Sequence, residues 1–547
     1  MRNRKFLFKE KKILWPGLII LILILQLITA FYFCSKKSGY HYDEYYSYYS
    51  SNKTFGLVPT DREWKEAEEI RSEFMVRENE RWQFGLVKQM QGYDVHPPLY
   101  YFILHGVCSL FPGIFSKWLG LGINLLFFVI GFFLLAKIGD SIFKKEKRLT
   151  VLLCLLYGFQ PGVLSGITFI RMYMLLTLWC LAVTLWHREF WEKGLRLTVK
   201  KSGSLFLLVF LGFMTHYYFV VFLFFLCAFT CLVEWWGRKN LKGSILYGSI
   251  VCAGLFLGVV YYPSSLSHIF RGYRGTEATG AFFDLSNTIE RLGFFTTLMN
   301  KSVFGGSLTI CLLLLLLLAV TYGYGKKKNP KKIEMEKEYL GFFHILTATA
   351  GYFFVVAKTA LLNAEEANRY ELPVYGFCML LVLGFFYFLT TECWKTFENT
   401  KEEGRIAAKK VVTGVMYSLA VLILGSQLQA LRQGEVQFLY PADRENVLWA
   451  AENKEKTIIY CYNPNNEWMI WDEAEELMQY DRIYFINLRN EEAINTKSFQ
   501  EQEEIYVYTS RMEEAQEIMD LLIAENPFLE RKKKIRELLY CDLYRLD

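Results

Sequence analysis

Apolar residues in this chain come in long blocks and do not alternate with polar ones. Ile13–Cys34, Trp118–Ile138, Leu241–Tyr262, Val303–Tyr324 and Tyr339–Leu361 each approach the ~20 residues a helix needs to cross a hydrocarbon layer. The pattern predicts a polytopic α-helical membrane protein. The first block is too long for a signal-peptide core and no small-residue cleavage site follows it, so it reads as a retained helix. Basic clusters punctuate the blocks at Arg2–Lys12, Lys144–Arg148, Arg188–Lys201, Arg238–Lys242, Lys326–Lys332 and Lys395–Lys410. The positive-inside rule puts every cluster in the cytoplasm, which works if the short segment Pro97–Phe111 does not cross. The predicted crossings are then 13–34, 118–138, 149–165, 170–187, 203–216, 217–236, 241–262, 302–324, 339–361, 371–391 and 410–430. That makes about 11 transmembrane helices, with the N-terminus cytoplasmic and the chain after residue 430 extracytoplasmic. Region 203–236 reads either as two short helices meeting at Thr215-His216-Tyr217 or as one kinked helix.

Two outer segments are longer than connectors need to be. In Ser35–His96, the stretch SGYHYDEYYSYYSS sets Asp43 and Glu44 among six tyrosines. The charged run Asp61–Arg81 reads as a solvated surface helix, and Trp82–Met90 as a helix lying in the interface plane. HPPLYYFILHGVCSLF then reads as a half-length helix whose prolines sit at its start. In the second segment, Pro263–Lys301, HIFRGYRGTEATG reads as a loop whose glycines let the backbone approach a ligand. After about residue 431 the pattern changes. Thr457–Tyr462, Arg482–Asn487, Glu504–Thr509 and Leu538–Tyr544 read as strands, and Trp471–Gln479 and Met512–Ala524 as helices. The expected organisation is a membrane domain over 1–430 and a small extracytoplasmic α/β domain over 431–547, the latter with no catalytic motif of its own.

Composition adds little. The net charge of +6 is no nucleic-acid signal, because the basic residues are confined to short loops. The 12 cysteines show neither a disulfide framework nor metal-ligand spacing. Cys461 and Cys541, in the exported tail, read as strand-core residues, with a bridge between them left open.

The informative ionisable residues fall on one side of the predicted topology. They are Asp43 and Glu44, His96, Arg171 in ITFIRMYMLL, His216 in MTHYYF, Arg271 and Arg274, and Glu365, Glu366 and Arg369 in LLNAEEANRYELP. Charges at bilayer depth cost a few kcal/mol, so their gathering at one interface argues for a site there. A transport path would string charges across the midplane, with repeated halves and broken helices. An interfacial site suits a lipid-linked substrate. Arginines match phosphate geometry, a carboxylate can take a proton from an acceptor hydroxyl, and tyrosines stack on sugar rings. Each residue also has a plainer role open to it. The acidic pair could be a solvated loop, His96 and His216 helix caps, Arg171, Arg271 and Arg274 headgroup anchors, Arg369 an ion pair with its neighbouring glutamates, and the tyrosines an interface belt.

At these residues the chain resembles a known family. HYDEYYSYY, DVHPPLYYFILH, FIRMYMLL, THYYF and EANRYELP, in that order over roughly residues 10–390, are similar to the GT-C membrane glycosyltransferases. The closest likeness is to the bacterial glycosyltransferase family 39 type, related to protein O-mannosyltransferases and aminoarabinose transferase. The resemblance implies a GT-C fold, a polyprenyl-phosphate sugar donor, an envelope acceptor (glycan, lipid or protein) and inversion at the anomeric carbon. It implies Asp43 as general base or metal-facing carboxylate with Glu44 in support, Arg171 and Arg369 at the donor phosphate, and His96 where some relatives carry lysine. Arg271 and Arg274 are further phosphate-binding candidates, and Tyr42, His216 and Tyr370 further substrate contacts. Some GT-C enzymes need a divalent ion (Mg or Mn) and others do not; Asp43 and Glu44 are the ligand candidates here. The competing expectations are a lipid-linked sugar or solute transporter with an outer receptor domain, and a scaffold that keeps the fold without the reaction.

Overall fold

The computed structural model describes residues 2–53, 60–144, 146–194, 196–328, 337–397, 402–490, 494 and 496–547. The early helices are α1 (Arg2–Lys36), α2 (Tyr42–Asn52), α3 (Ala67–Ser72), α4 (Phe84–Tyr93), α5 (Leu99–Leu110) and α6 (Lys117–Phe143). Then come α7 (Lys147–Tyr157), α8 (Pro161–Thr168), α9 (Tyr173–Glu192), α10 (Val199–Phe213), α11 (Tyr218–Leu232) and α12 (Leu241–Tyr261). They are followed by α13 (Ser264–Phe270), α14 (Tyr273–Phe283), α15 (Thr288–Phe304), α16 (Leu308–Lys328), α17 (Lys337–Thr359), α18 (Asn368–Phe397) and α19 (Glu402–Arg432). By internal contacts the chain separates into two units. The first comprises Met1–Cys34, Asp94–Tyr100 and Leu121–Gln437, and the second Ser35–Tyr93, Tyr101–Gly120 and Phe438–Asp547. The segment after α1 therefore groups with the C-terminal residues, whereas the sequence reading assigned it to the membrane domain.

The chain is a polytopic helical membrane protein. Among the described residues seven helices are long and apolar enough to cross a bilayer, and two bent pairs raise the number to nine. The count falls short of eleven because α9 ends in His187, Arg188, Glu189 and Glu192, and α10 has only 15 residues. Region 203–236 is two helices, broken at Met214–Tyr217.

The bent pairs are α7–α8, at 54°, and α15–α16, at 93°. A break inside hydrocarbon leaves backbone carbonyls without partners unless side chains supply donors. Two glutamines on apolar helices do so. Gln26 Nε2 donates to Cys154 O at 2.8 Å and Leu155 O at 3.1 Å. Gln427 Nε2 donates to Leu156 O at 3.0 Å and to Val303 O at 2.8 Å, serving both breaks at once. The sharper bend needs Gly305, which has φ +58°; a Cβ there would also lie 2.4 Å from the Ser426 backbone.

The Pro263–Lys301 segment, expected as a loop, is largely helical, as α13, α14 and the start of α15. One of its glycines serves packing. A Cβ on Gly275 would come 2.2 Å from the Ile269 carbonyl oxygen, so glycine lets α14 lie against the end of α13.

The second unit holds a six-stranded sheet of β1 (Glu63–Glu66), β2 (Thr457–Tyr462), β3 (Arg482–Asn487), β4 (Ile505–Ser510), β5 (Lys532–Glu537) and β6 (Cys541–Leu546). The order is β1-β3-β2-β4-β6-β5, with β2 parallel to β3 and β4 and the outer pairs antiparallel. The parallel centre is buried nearly throughout, as a sheet covered on both faces requires. One side packs Ile459, Cys461, Ile486 and Val507 on Met519 and Leu522 of the helix Glu513–Glu525. Edge strand β5 is lysine-rich and exposed, which discourages pairing with another chain. The charged run Asp61–Arg81 is not one helix. Trp64 packs on Tyr484 at 5.2 Å and Asp61 accepts a bond from Asn487 N at 2.8 Å, which together draw Glu63–Glu66 into the sheet. Trp471–Gln479 is likewise not a single α-helix but the end of a 3-10 segment, Pro464–Glu473, running into Ala474–Leu477.

Candidate active site

The acidic pair opens α2, in the second unit. His41 is its N-cap: its Nδ1 accepts from Asp43 N at 3.0 Å, while Glu44 Oε2 accepts from His41 N at 2.7 Å. This reciprocal capping satisfies amides that a helix start leaves open. Lys37 Nζ donates to the same Glu44 oxygen at 2.8 Å, with both side chains fully buried, and to Phe438 O at 2.6 Å. The two acids have therefore separated. Glu44 is spent on a cap and a buried ion pair, whereas the Asp43 side chain keeps 22% of its surface exposed, with His41 Nδ1 3.6 Å away. Asp43 and Glu44 do not make a two-carboxylate metal cradle, because Glu44 faces an ammonium. Among the described residues no three His, Cys, Asp or Glu side chains gather with metal-binding geometry.

Two further carboxylates lie in the electrostatic reach of Lys37. Burial pushes Glu475 up to about 7 against the opposing pull of Lys37, and the Tyr45 hydroxyl accepts a bond from its backbone N–H at 3.1 Å. Burial likewise pushes Asp443 up to about 6.

The basic candidates belong to the first unit, where turns between helices gather them. His96 precedes the two prolines that start α5. Its Nδ1 faces Asp94 Oδ2 at 3.1 Å, and Arg171 Nη2 at 3.4 Å. Burial pushes the Asp94 carboxyl up, but the His96 ring and the Arg171 charge outweigh it and hold the group below the usual aspartate value. Arg171 itself lies in the turn between α8 and α9, 3% exposed. His216 sits at the α10–α11 break. Its Nδ1 accepts from Tyr218 N at 3.1 Å, so it is a cap, and its ring lies 5.6 Å from His96 and 5.7 Å from Tyr173. Tyr173 leads on to Tyr370 at 5.8 Å. Beside Tyr370, the Arg369 guanidinium lies 5.3 Å over the Phe169 ring and 5.1 Å over Tyr370, again 3% exposed. Its pairing with Glu366 is long, at 3.8 Å, and Glu365 is taken by Lys301 at 2.5 Å and Gln437 at 3.0 Å.

The structure thus joins His96, Arg171, His216, Tyr370 and Arg369 into one continuous group. Arg271 is exposed just beyond α13. Arg274 is bound to Glu277 on its own helix at 3.1 Å and stacked on Tyr273 at 4.9 Å. Tyr42, beside Asp43, lies in the second unit. Asp94, Phe169 and Tyr173 were not singled out from the sequence as site residues, although they lie within the quoted stretches DVHPPLYYFILH and FIRMYMLL.

No family model matches the sequence, and no curated protein matches it. Solved structures do match. ArnT from Cupriavidus metallidurans, bound to undecaprenyl phosphate, superposes with a TM-score of 0.53 at 12% identity, over 97% of this chain and 98% of that one. The chain has the GT-C fold. The apo state of the same ArnT gives 0.48 at 12% identity, over 97% of this chain and 98% of that one. The apo Archaeoglobus fulgidus oligosaccharyltransferase gives 0.45 at 10% identity, covering 91% of this chain and 69% of its own. For this GT-C chain the likeness is one of fold, and it extends over nearly the whole sequence.

Proposed function

We propose that this protein is an inverting membrane glycosyltransferase. It would move a sugar from a polyprenyl-phosphate donor to an acceptor hydroxyl of the cell envelope, on the non-cytoplasmic side. The observation that carries this reading is the pair of buried arginines, Arg171 and Arg369, gathered with two histidines and an aromatic ring system in a GT-C fold. The similar ArnT structure is bound to undecaprenyl phosphate, which corresponds to the lipid phosphate that departs in the proposed reaction.

In this reading Arg171 and Arg369 hold the donor phosphate. Their guanidinium groups stay charged at any accessible pH and present paired N–H donors to phosphate oxygens. Asp94 orients His96 beside Arg171. The acceptor oxygen attacks the anomeric carbon, the bond from that carbon to the phosphate oxygen breaks, and polyprenyl phosphate departs with its new charge facing the arginines. Asp43 takes the acceptor proton. It is the member of the acidic pair whose side chain keeps part of its surface, 22%, exposed, and general-base assistance of this kind contributes ~10²–10⁴-fold. One displacement inverts the anomeric centre.

The test is a mass profile of envelope glycans from cells carrying wild-type protein, Asp43→Asn or a deletion, with each variant first shown to reach the membrane at normal abundance. Loss of the same sugar-sized mass in the deletion and in Asp43→Asn supports both the transferase reading and the base. Loss in the deletion alone removes Asp43 as base. An unchanged glycan profile with a polyprenyl-linked precursor building up on one leaflet replaces the reading with transport.

A further inference from the structure

The arginine group lies at the start of α9, and the far end of the same helix borders a cavity. Arg188 sits roughly 22 Å along α9 from Tyr173, at 1.5 Å per residue. There the ends of α6 and α9 surround a space of about 340 Å³ whose cationic walls are Lys137, Lys144 and Arg188. Both lysines are exposed, whereas Arg188 is 5% exposed and fixed in place. Its Nε donates to Ser141 Oγ at 2.9 Å, and Gly341 of α17 makes room for it, since a Cβ there would overlap Nη1. Three carboxylates share the wall, and each is engaged. Asp140 meets Lys147 at 2.7 Å and Glu189 meets Lys201 at 2.7 Å, and neither of those lysines lines the cavity. Glu192 accepts from Ser141 Oγ at 2.9 Å and meets Arg188 at 3.7 Å. The lining is thus left with Lys137, Lys144 and Arg188 against Glu192, a surplus of positive charge.

A second feature bears on the ligand. On α6, Leu126, Ile130 and Phe133 are exposed and follow one another at helical spacing, and the next step on that face is Lys137. From Leu126 to Lys137 the helix rises roughly 16 Å, close to the ~15 Å of hydrocarbon in one leaflet. An apolar stripe one leaflet deep therefore ends at the cations. The basic cluster Lys144–Arg148 lies at this end of α6, which by the positive-inside rule is the cytoplasmic one.

We propose that this cavity binds the phosphate of a phospholipid from the cytoplasmic leaflet, with an acyl chain lying along Leu126, Ile130 and Phe133. Lys137 and Lys144 supply mobile ammonium donors to the phosphate oxygens, and the buried Arg188 backs them with a charge that does not titrate. The site is independent of the transferase reading, whose phosphate-binding residues gather at the start of α9.

The test uses the full chain, freed of lipid in detergent, and reads binding by native mass spectrometry. The probes are dioleoyl phosphatidylglycerol, dioleoylglycerol, which has the chains without the phosphate, and glycerol phosphate, which has the phosphate without the chains. Phosphatidylglycerol should bind, and the other two should bind at least about 10-fold more weakly. Lys137→Gln and Lys144→Gln should each weaken phosphatidylglycerol binding about 5-fold, and about 30-fold together, while Lys137→Arg keeps it. Phe133→Ser should weaken the lipid and leave glycerol phosphate unchanged. Dioleoylglycerol binding as well as phosphatidylglycerol overturns the phosphate site, and so does wild-type affinity in the double glutamine variant. Glycerol phosphate binding as tightly as the lipid overturns the lipid assignment and makes the ligand a soluble phosphate. Both lysines are exposed, so the glutamine variants should unfold at the wild-type temperature in lipid-free detergent; a lowered midpoint that accounts for the lost binding makes the lysines structural and overturns the site.

Discussion

The helix start that carries Asp43 and the turns that carry Arg171 and Arg369 handle charge in opposite ways. In the second unit the motif is locked by formal charge, with Lys37 against Glu44 in full burial and Glu44 also capping the helix. In the first unit the arginines lie among rings and histidines, Arg369 over Phe169 and Tyr370 and Arg171 beside His96. A tight carboxylate pair stiffens a backbone but consumes the charge. The arginines meet acids more loosely, Arg369 with Glu366 at 3.8 Å and Arg171 acting by its charge on Asp94, while ring faces hold the Arg369 guanidinium in a defined plane. The acid side is tied by one short buried ion pair beside a half-buried aspartate, and the arginine side by ring faces and longer ionic contacts.

That contrast can be broken, and its largest test is catalytic. Asp43→Asn should lower transfer by about 100-fold or more with the thermal unfolding midpoint unchanged, whereas Asp94→Asn should cost less, acting through His96. The reverse order, measured by glycan mass, would exchange their roles. Next in size is stability. Glu44→Gln keeps a capping acceptor but leaves the Lys37 ammonium buried without its counter-charge, which should destabilise the second unit by roughly 3–5 kcal/mol. Lys37→Met together with Glu44→Gln should cost less than the sum of the two single changes, read by denaturant unfolding. Arg171→Lys keeps the charge and loses the planar fork; donor KM should rise about 10-fold with no change in unfolding. Unfolding that falls as steeply as in Glu44→Gln would make Arg171 structural and erase the contrast.

The smallest effect is a pH slope. Glu475 titrates near 7 in the folded chain, above its ordinary 4.5, so between those values the folded form binds a proton that the unfolded form has lost. Its contribution to stability is fully present below about 4.5 and is lost as pH rises through about 7. Glu475→Gln should flatten that part of the stability profile of the second unit, and an unaltered slope would place the titrating group elsewhere.

How far the sequence could be read depended on whether a feature was written locally. Blocks of apolar residues announce most of the crossings, and the central strands β2, β3 and β4 are continuous apolar or β-branched runs, so those three strands were legible within a residue or so. β5, spelled KKKIRE, has no apolar period and owes its strand state to β6. Glu63–Glu66 looked like solvated helix because its partner β3 lies more than 400 residues away. Of the site, the charged residues in apolar flanks could be picked out one by one. The split between Asp43 and Glu44 could not, because it turns on Lys37 and a cap whose geometry no spacing reveals.

The amide of Gln427 closes two helix breaks, and the order of synthesis gives that fact a second meaning. Its acceptors, Leu156 and Val303, leave the ribosome 271 and 124 residues before it does. Until α19 enters the bilayer, the two bends wait with those carbonyls lacking this donor, a state that hydrocarbon penalises. The first unit can therefore reach its mature form only after α19 has been inserted. A nascent chain halted before α19 would offer the insertion and quality-control machinery two open helix breaks by which to recognise it as incomplete.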